Sequence, residues 1–401
     1  MKDNSIDKFI ILLFYLSIII GFYFNCLGQS SLTGTGGMAP VPVLLFPFLI
    51  AGLQIVRVGM CIGKCKLETL GHSWLCIFIY YILVFIVGFA MNQAYKYSVF
   101  WTLTIPPISW LYFSIITQIS PRIRDFLVKW GFWFFMAFSV IAAYFIPRSI
   151  LHNGKFASLN TGYFVLLSYP LAILNKSSIK KICCTIIMIV ILLFSMKRGG
   201  ILGALVGFIL YFLLSKNTGR YGFFQKLLLV TILIGALNFV LPAINEISNG
   251  TWEKRIEYAQ NHENEEGRAS MYPKVIGAVV NSPLLNIIFG HGHEAVVRDN
   301  VLDGLPAHND YLEFLYDFGL IGLILLLSFY IKLINMTILS RRFNTEFFPM
   351  ILAFSSVIIL SMFSIVYAYQ YFLLVIPFLC IMSKELNVRK KNKRIKKCRN
   401  I

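Results

Sequence analysis

Long apolar segments separated by short polar connections dominate the chain. We predict twelve such segments, most of them close to the length an α-helix needs to cross a bilayer core of about 30 Å. Because hydrocarbon offers backbone N–H and C=O groups no water, each segment must satisfy its own groups as a helix. The pattern therefore predicts an all-α polytopic membrane protein. Its spans lie near residues 8–25, 40–56, 73–91, 99–119, 130–147, 161–175, 182–196, 199–215, 227–245, 310–335, 347–366 and 368–383.

The composition supports this prediction. Hydrophobic residues make up 58% of the 401 residues and charged residues only 13%, whereas soluble domains carry about 25% charged residues. A soluble chain of this length would need more polar surface to cover its core. The composition therefore excludes an ordinary soluble protein.

The net charge of +18 is distributed unevenly along the chain. With the N-terminus in the cytoplasm, most of the 36 Lys and Arg residues fall on the cytoplasmic side, which agrees with the positive-inside rule. The charge pattern therefore predicts an N-in, C-in topology. The basic tail, residues 384–401, is explained as a topology signal and a contact with anionic membrane lipids. Nucleic acid is not an expected partner.

One polar region interrupts the membrane pattern. We divide the chain into N-terminal transmembrane helices (1–245), a long extracytoplasmic loop (246–309), C-terminal transmembrane helices (310–383) and the tail. The loop holds half of the 18 acidic residues and four of the six histidines. Helical apolar spacing predicts a helix between Arg268 and Asn281, which Pro283 ends. Loops of this length are usually functional or disordered.

His308 stands where the loop becomes the next helix, with Asn309 or Asp310 available as its N-cap. A histidine exposed to water titrates near neutral pH and can act as a general base on a sugar hydroxyl. Capping or anchoring the helix at the membrane interface is the simpler interpretation of this position taken alone.

A second candidate lies upstream, where Lys197 and Arg198 fall on the extracytoplasmic side against the overall charge trend. Guanidinium binds a diphosphate bidentately, and Gly199 and Gly200 would let backbone approach it closely. An interfacial arginine that extends its charge to water is the competing interpretation.

Several short motifs occur in a fixed order, and together they resemble the O-antigen ligase / Wzy-type polymerase superfamily of bacterial membrane glycosyltransferases. The resemblance covers roughly residues 190–330. It rests on Ser195-x-Lys-Arg-Gly-Gly, Gly267-Arg268, Phe289-Gly-His-Gly, and His308-Asn309-x-Tyr311-Leu312 running to Gly319-x-x-Gly322.

The resemblance implies a GT-C-like, metal-independent and cofactor-free enzyme, a multi-pass protein of the bacterial inner membrane. It would transfer glycan with inversion from an undecaprenyl-diphosphate-linked donor to a lipid-linked oligosaccharide or to lipid A–core. By motif, His308 would activate the acceptor hydroxyl, and Arg198 and Arg268 would hold the diphosphate. Lys197, Asn309 and Tyr311 are candidate acceptor or sugar contacts, and a chain-length regulator is a candidate partner.

Three functions remain open at this point. A polymerase that joins lipid-linked repeat units is the leading hypothesis, partly from the context His-Asn-Asp-Tyr-Leu-Glu at 308–313. A ligase that moves finished O-antigen onto lipid A–core needs the same donor chemistry. A polysaccharide flippase would explain the helices but not the long loop. A zinc site at His291 and His293 is a weaker alternative, because no third ligand is evident.

Overall fold

The structure is a computed structural model of the chain. It describes residues 3–30, 41–61, 63, 69–152, 160–195, 197–215, 268–343, 345–364, 366–367 and 370–399, together with positions 242, 245, 246, 250 and 253. Within these ranges every regular element is a helix. In chain order they are α1 (Asp3–Ser30), α2 (Val41–Gly59), α3 (Thr69–Ala90), α4 (Tyr97–Ile119), α5 (Pro121–His152), α6 (Thr161–Ala172), α7 (Ser178–Phe194), α8 (Arg198–Leu214), α9 (Arg268–Val280), α10 (Leu284–Phe289), α11 (Ala295–Arg298), α12 (Asp310–Phe343), α13 (Phe347–Phe363), a 3₁₀ turn (Gln370–Leu374) and α14 (Ile376–Arg399).

The all-helical, multi-pass prediction is confirmed in its coarse form. Seven helical segments of the described part are long and apolar enough to cross a membrane. Four further predicted spans fall on α6, α7, α8 and α13, which have 12 to 17 residues. The predicted span 227–245 lies outside the described residues. The count of twelve complete crossings and their orientation therefore stay predictions.

Helix α6 lies at the centre of the helical bundle. All twelve of its residues are buried, and it contacts α5, α7, α8, α13 and the 3₁₀ turn. A 12-residue helix is about 18 Å long, shorter than the bilayer core. The sequence predicted a span near 161–175, and the structure shows that neighbouring helices cover the residues of α6.

Helices α8 and α13 form a close antiparallel pair. Gly199, Gly203 and Gly207 recur every fourth position and lie on the face of α8 that meets α13. A Cβ atom at Gly203 would lie 3.3 Å from the Cα of Ser356, and the Ser355 hydroxyl donates to the Gly203 carbonyl oxygen at 3.0 Å. Small residues at this spacing let helix backbones approach closely. The pairing brings the end of α13 beside the start of α8.

Helix α12 is divided by a kink at Gly319, where φ is 64° and ψ is −167°. The part after the kink has the length of a membrane span, about 36 Å. The part before it, residues 310–318, carries three buried acidic residues on one face. The sequence predicted a span near 310–335. The structure shows a kink within this helix, and the part before the kink packs against the loop elements.

Ionic contacts join several helix ends on the side of the bundle away from the loop. Buried Arg57 donates to both carboxylate oxygens of buried Asp7 at 2.8 and 2.9 Å. Arg124 pairs with Glu385 at the same side. We call this the opposite side, and the side of residues 268–309 the loop side. The helix ends that meet here are the ones that the charge pattern assigned together to the cytoplasm.

Candidate active site

Three predicted segments meet at the C-terminal end of α13. The Met362 carbonyl oxygen accepts hydrogen bonds from Asn309 Nδ2 at 3.3 Å and from the Tyr272 hydroxyl at 2.8 Å. A Cβ atom at Gly199 would lie 3.2 Å from Cβ of Phe363. These contacts bring together the segment of the predicted base, the loop helix α9 and the first turn of α8. Chain positions more than 150 residues apart therefore converge on the loop side.

His308 is held by contacts on both sides of it in the chain. It is half-buried, and its φ of 51° lies in the left-handed region, which is uncommon outside glycine. The Ala307 N–H donates to the Glu313 carboxylate at 2.6 Å. The Asn309 side-chain oxygen accepts from the backbone N–H groups two and three positions on, at 3.0 and 3.2 Å. Asn309 is therefore the N-cap of α12, one of the two caps predicted.

The first turns of α12 carry carboxylates that sequence reasoning did not identify as site residues. Asp310, Glu313 and Asp317 are each at most 3% exposed. Asp317 accepts from the Val296 N–H of α11 at 3.2 Å, and Asp310 accepts from the Val366 N–H at 2.8 Å. Together with Glu313, they anchor three separate connecting segments to one helix. Their spacing of three and four positions, which places them on one helical face, is the signal that could have found them.

The motif Phe289-Gly290 packs directly on the kink of α12. A Cβ atom at Gly319 would lie 2.5 Å from the backbone nitrogen of Gly290, so the two backbones touch. The Tyr80 hydroxyl of α3 lies 2.9 Å from the Phe289 carbonyl oxygen and 3.0 Å from that of Phe318. The two residues after Gly290 donate backbone N–H groups to α12 carbonyl oxygens at 3.0 and 2.9 Å. The two glycine motifs are therefore one structural contact.

We expect Gly290→Ala to destabilise the protein. Gly290 has φ 86° and ψ −179°, a region open almost only to glycine, and a Cβ atom there would lie 2.2 Å from the Asp317 carbonyl oxygen. The expected loss is about 2–3 kcal/mol of folding free energy. It would appear as a lower melting temperature of the detergent-purified protein.

Gly277→Ala is the matched control for this substitution. Gly277 lies in α9, and its added Cβ atom would meet nothing within 4 Å. Since alanine is the better helix former, a gain of about 0.5–1 kcal/mol is expected. Equal melting temperatures for Gly290→Ala and the unchanged protein would contradict the contact described above.

The predicted diphosphate residues take different positions. Arg198 is exposed and is the first residue of α8, where the free N–H groups and helix dipole favour an anion. Lys197 is the N-cap of α8, and its Nζ atom lies 5.5 Å from the centre of the Tyr163 ring. Arg268 begins the loop helix α9 as predicted, and its side chain lies outside the described residues. Lys197 therefore contacts α6 as well as lying beside Arg198.

Tyr311 contacts the helical core. Its ring centre lies 5.7 Å from that of Tyr330, and its side chain is half-buried against the main hydrophobic core. Its backbone N–H is one of the two bound by the Asn309 cap. The described contacts therefore give Tyr311 a packing role, and its predicted role as a sugar contact stays a prediction.

His291 makes contacts within the loop. Its ring lies 2.9 Å from the Ser282 hydroxyl and 3.2 Å from Asn286 Nδ2, and it stacks on Tyr316 with ring centres 4.3 Å apart. Burial lowers the pKa of His291, Asp299 raises it, and neighbouring Arg298 lowers it. Both ring nitrogens have protein partners, so the described contacts give His291 a structural role.

His293 is buried inside the bundle. Its Nε2–H donates to the Tyr81 carbonyl oxygen at 3.0 Å, and its ring makes an edge contact with Phe318. Burial lowers the pKa of His293 to about 4. His291 and His293 face different partners, and the described residues contain no group of three or more His, Cys, Asp or Glu side chains placed to hold a metal ion.

We expect His293 to make the fold sensitive to acid. Its pKa of about 4 in the folded protein lies below the value of about 6.5 in an unfolded chain. Protons therefore bind the unfolded state better, and stability falls as pH drops from about 6.5 towards 4, by about 2 kcal/mol at pH 5. His293→Gln keeps an N–H donor without titrating, so its melting temperature should fall less between pH 7 and pH 5.

The exposed His72 of α3 provides the control. His72→Gln also removes one histidine, and we expect it to change the acid sensitivity less than His293→Gln does, because His72 is exposed and His293 is buried. If His293→Gln shows the same acid sensitivity as the unchanged protein, another group causes it.

A comparison with known proteins covers part of this region. Residues 183–327 match the family model described as O-antigen ligase. The matched stretch contains the larger part of α7, all of α8, the loop with α9–α11 and the first half of α12, including the kink. No curated protein matches the chain. The resemblance predicted from the motifs is therefore confirmed over this stretch.

Proposed function

We propose, on the premise that residues 183–327 carry an O-antigen ligase domain, that the protein is a surface-polysaccharide polymerase. It transfers glycan from undecaprenyl diphosphate to a lipid-linked repeat unit at the periplasmic face of the bacterial inner membrane. The membrane-length helices and the domain support a multi-pass membrane glycosyltransferase. The leaflet, the donor and the acceptor are parts of the proposal.

The observation that carries the proposal is the convergence at Met362 and Phe363. It puts the segment of a half-buried histidine next to two segments that begin with an arginine. A base beside anion-binding groups suits a reaction in which a hydroxyl attacks and a diphosphate leaves. If the His308 segment served only to cap or anchor α12, no cations would be required at the same end of the bundle.

In the proposed reaction His308 removes the proton from the acceptor hydroxyl. The acceptor oxygen forms a bond to the anomeric carbon, and the bond from that carbon to the diphosphate oxygen breaks. The configuration of the anomeric carbon is inverted, because the acceptor oxygen attacks one face of that carbon and the diphosphate leaves from the opposite face. Arg198 and Arg268 stabilise the negative charge on the departing undecaprenyl diphosphate. The proton leaves His308 for water, or for the diphosphate, before the next cycle.

The ligase is the second candidate, and the description of the matching family favours it. Deleting the gene and running the host's lipopolysaccharide on a gel separates the two. Core carrying a single repeat unit indicates a lost polymerase, while bare core with accumulating lipid-linked polymer indicates a lost ligase. Unchanged lipopolysaccharide and unchanged capsular or other surface polysaccharide would overturn both. Glycosidic bond formation by the purified protein would exclude a flippase.

We expect Glu313 to position His308 without taking part in the chemistry. Its carboxylate accepts the N–H of Ala307, the residue before His308. Glu313→Gln keeps an acceptor oxygen and should retain most activity. Glu313→Leu removes the contact and should lower kcat by about tenfold, with less change in KM. Equal activities for the two variants, measured as repeat units added per minute, would argue against positioning.

A further inference from the structure

A cavity of about 490 Å³ lies on the opposite side of the bundle from His308. It is bounded by α6, α7, the end of α8 and the start of α13. Since α8 is about 25 Å long, this cavity and Arg198 lie near opposite ends of one helix. Its volume is within the range of about 300–1,000 Å³ typical of small-molecule sites. The proposed transfer reaction gives the cavity no role.

The lining of the cavity includes charged and hydroxyl groups. Lys181 of α7 and Arg341 of α12 both line it, together with Thr185 and Ser215. Lys181 is half-buried, whereas Arg341 is exposed at the rim. Thr185 donates its hydroxyl proton to the Lys181 carbonyl oxygen at 2.8 Å, so the two cations are the groups that would bind a phosphate here.

The lining also includes aromatic side chains. Phe208 and Phe212 of α8 contribute to it with Phe348 of α13, and the ring centres of Phe208 and Phe348 lie 5.5 Å apart. The cavity therefore offers cations and an extended apolar surface side by side. A free inorganic anion would bind the cations and leave the apolar surface exposed to water, whereas a lipid would bind the cations and cover the apolar surface.

The surrounding charge favours an anionic headgroup. Glu346 is the one carboxylate among the described lining residues. It interacts electrostatically with Lys181, Arg124 and Arg389, and with Glu385. Burial raises the pKa of Glu346. Cations outnumber acids in this set, so the groups around the cavity carry a net positive charge.

We propose that this cavity binds an anionic phospholipid of the leaflet on the opposite side. The lipid phosphate lies between Lys181 and Arg341, and an acyl chain lies along Phe208, Phe212 and Phe348. Basic pockets between transmembrane helices on the cytoplasmic side are suited to such headgroups. The site goes beyond the proposed function, because it is separated from the transfer chemistry by the length of α8.

The test uses the full-length protein, delipidated in detergent and titrated with phosphatidylglycerol under native mass spectrometry. The double variant Lys181→Gln/Arg341→Gln should bind the lipid at least tenfold more weakly. Lys180→Gln/Arg342→Gln removes the same charge from adjacent positions that do not line the cavity, and it should bind as the unchanged protein does. Arg341→Gln alone, at an exposed position, reports on binding if the double variant fails to fold.

The outcomes separate the possible ligands. Phosphatidylglycerol bound more tightly than phosphatidylethanolamine, with loss only in the cavity variants, supports the proposal. Equal binding of the two lipids would overturn the anionic headgroup. Displacement of the lipid by inorganic phosphate at equal concentration would overturn the lipid in favour of a free anion. Unchanged binding in Arg341→Gln and in the double variant would overturn the site.

Discussion

Replacing His308 with alanine is expected to abolish most glycan transfer. The proposed base sits between the Glu313-bound Ala307 and the Asn309 cap, so the backbone should keep its place when the ring is removed. Loss of a general base typically costs about 10²–10⁴-fold in rate. The measurement is the initial rate of product formation by purified protein with a lipid-linked repeat unit, read as a gel ladder.

His72→Ala is the control for this result. His72 is exposed on α3, and it lies near the opposite-side end of that helix, far from the convergence at Met362. Its loss should leave the rate within about twofold, in line with the small effects of most surface substitutions. If His308→Ala inserts normally, melts at the same temperature and keeps full activity, then His308 is a structural residue and not the base.

Arg198→Ala is the second substitution with a large expected effect. Arg198 is exposed at the first position of α8 and lies beside Gly199, which touches the end of α13. Losing one group that stabilises a departing anion typically costs about 10²–10³-fold in kcat. Arg198→Lys should recover only part of this, because an ammonium cannot bind two phosphate oxygens in the fork geometry of a guanidinium.

Lys274→Ala separates a specific role from a general loss of positive charge. Lys274 is exposed on the loop helix α9, on the same side as Arg198. Its removal changes the net charge by the same amount and should lower the rate by less than about threefold at 0.15 M salt, where exposed charges are screened. Equal losses in Lys274→Ala and Arg198→Ala would mean that the donor responds only to overall charge.

Local patterns carried much of the helix prediction and part of the site. The helical spacing from Arg268 and the stop at Pro283 led to α9 with nearly its observed ends. Asn309 was one of two predicted caps of α12, and it makes the cap contacts. Each of these features depends on interactions within a few positions of the chain, which residue types and spacing report directly.

Sequence reasoning did not reveal features that depend on distant parts of the chain. The apolar run at 161–175 was predicted as a span, and nothing in its residue pattern indicated that α6 would be enclosed by other helices. The kink at Gly319 was not predicted, although Gly319 belongs to a motif that the resemblance used. An apolar segment has the same residue pattern whether lipid or protein covers it. A glycine alone does not indicate which backbone approaches it.

The alternation of apolar and polar segments by itself determined that this is a helical membrane protein, and it indicated one long polar loop as a candidate location for its chemistry. Only the tertiary structure decided that the end of α13 joins the three motif segments, and that Tyr80 lies against Phe318, 238 positions away. The physical reason is the separation along the chain of the residues that interact. Helix formation and membrane insertion follow local composition, whereas a site needs contacts between segments whose proximity depends on the packing of every helix between them.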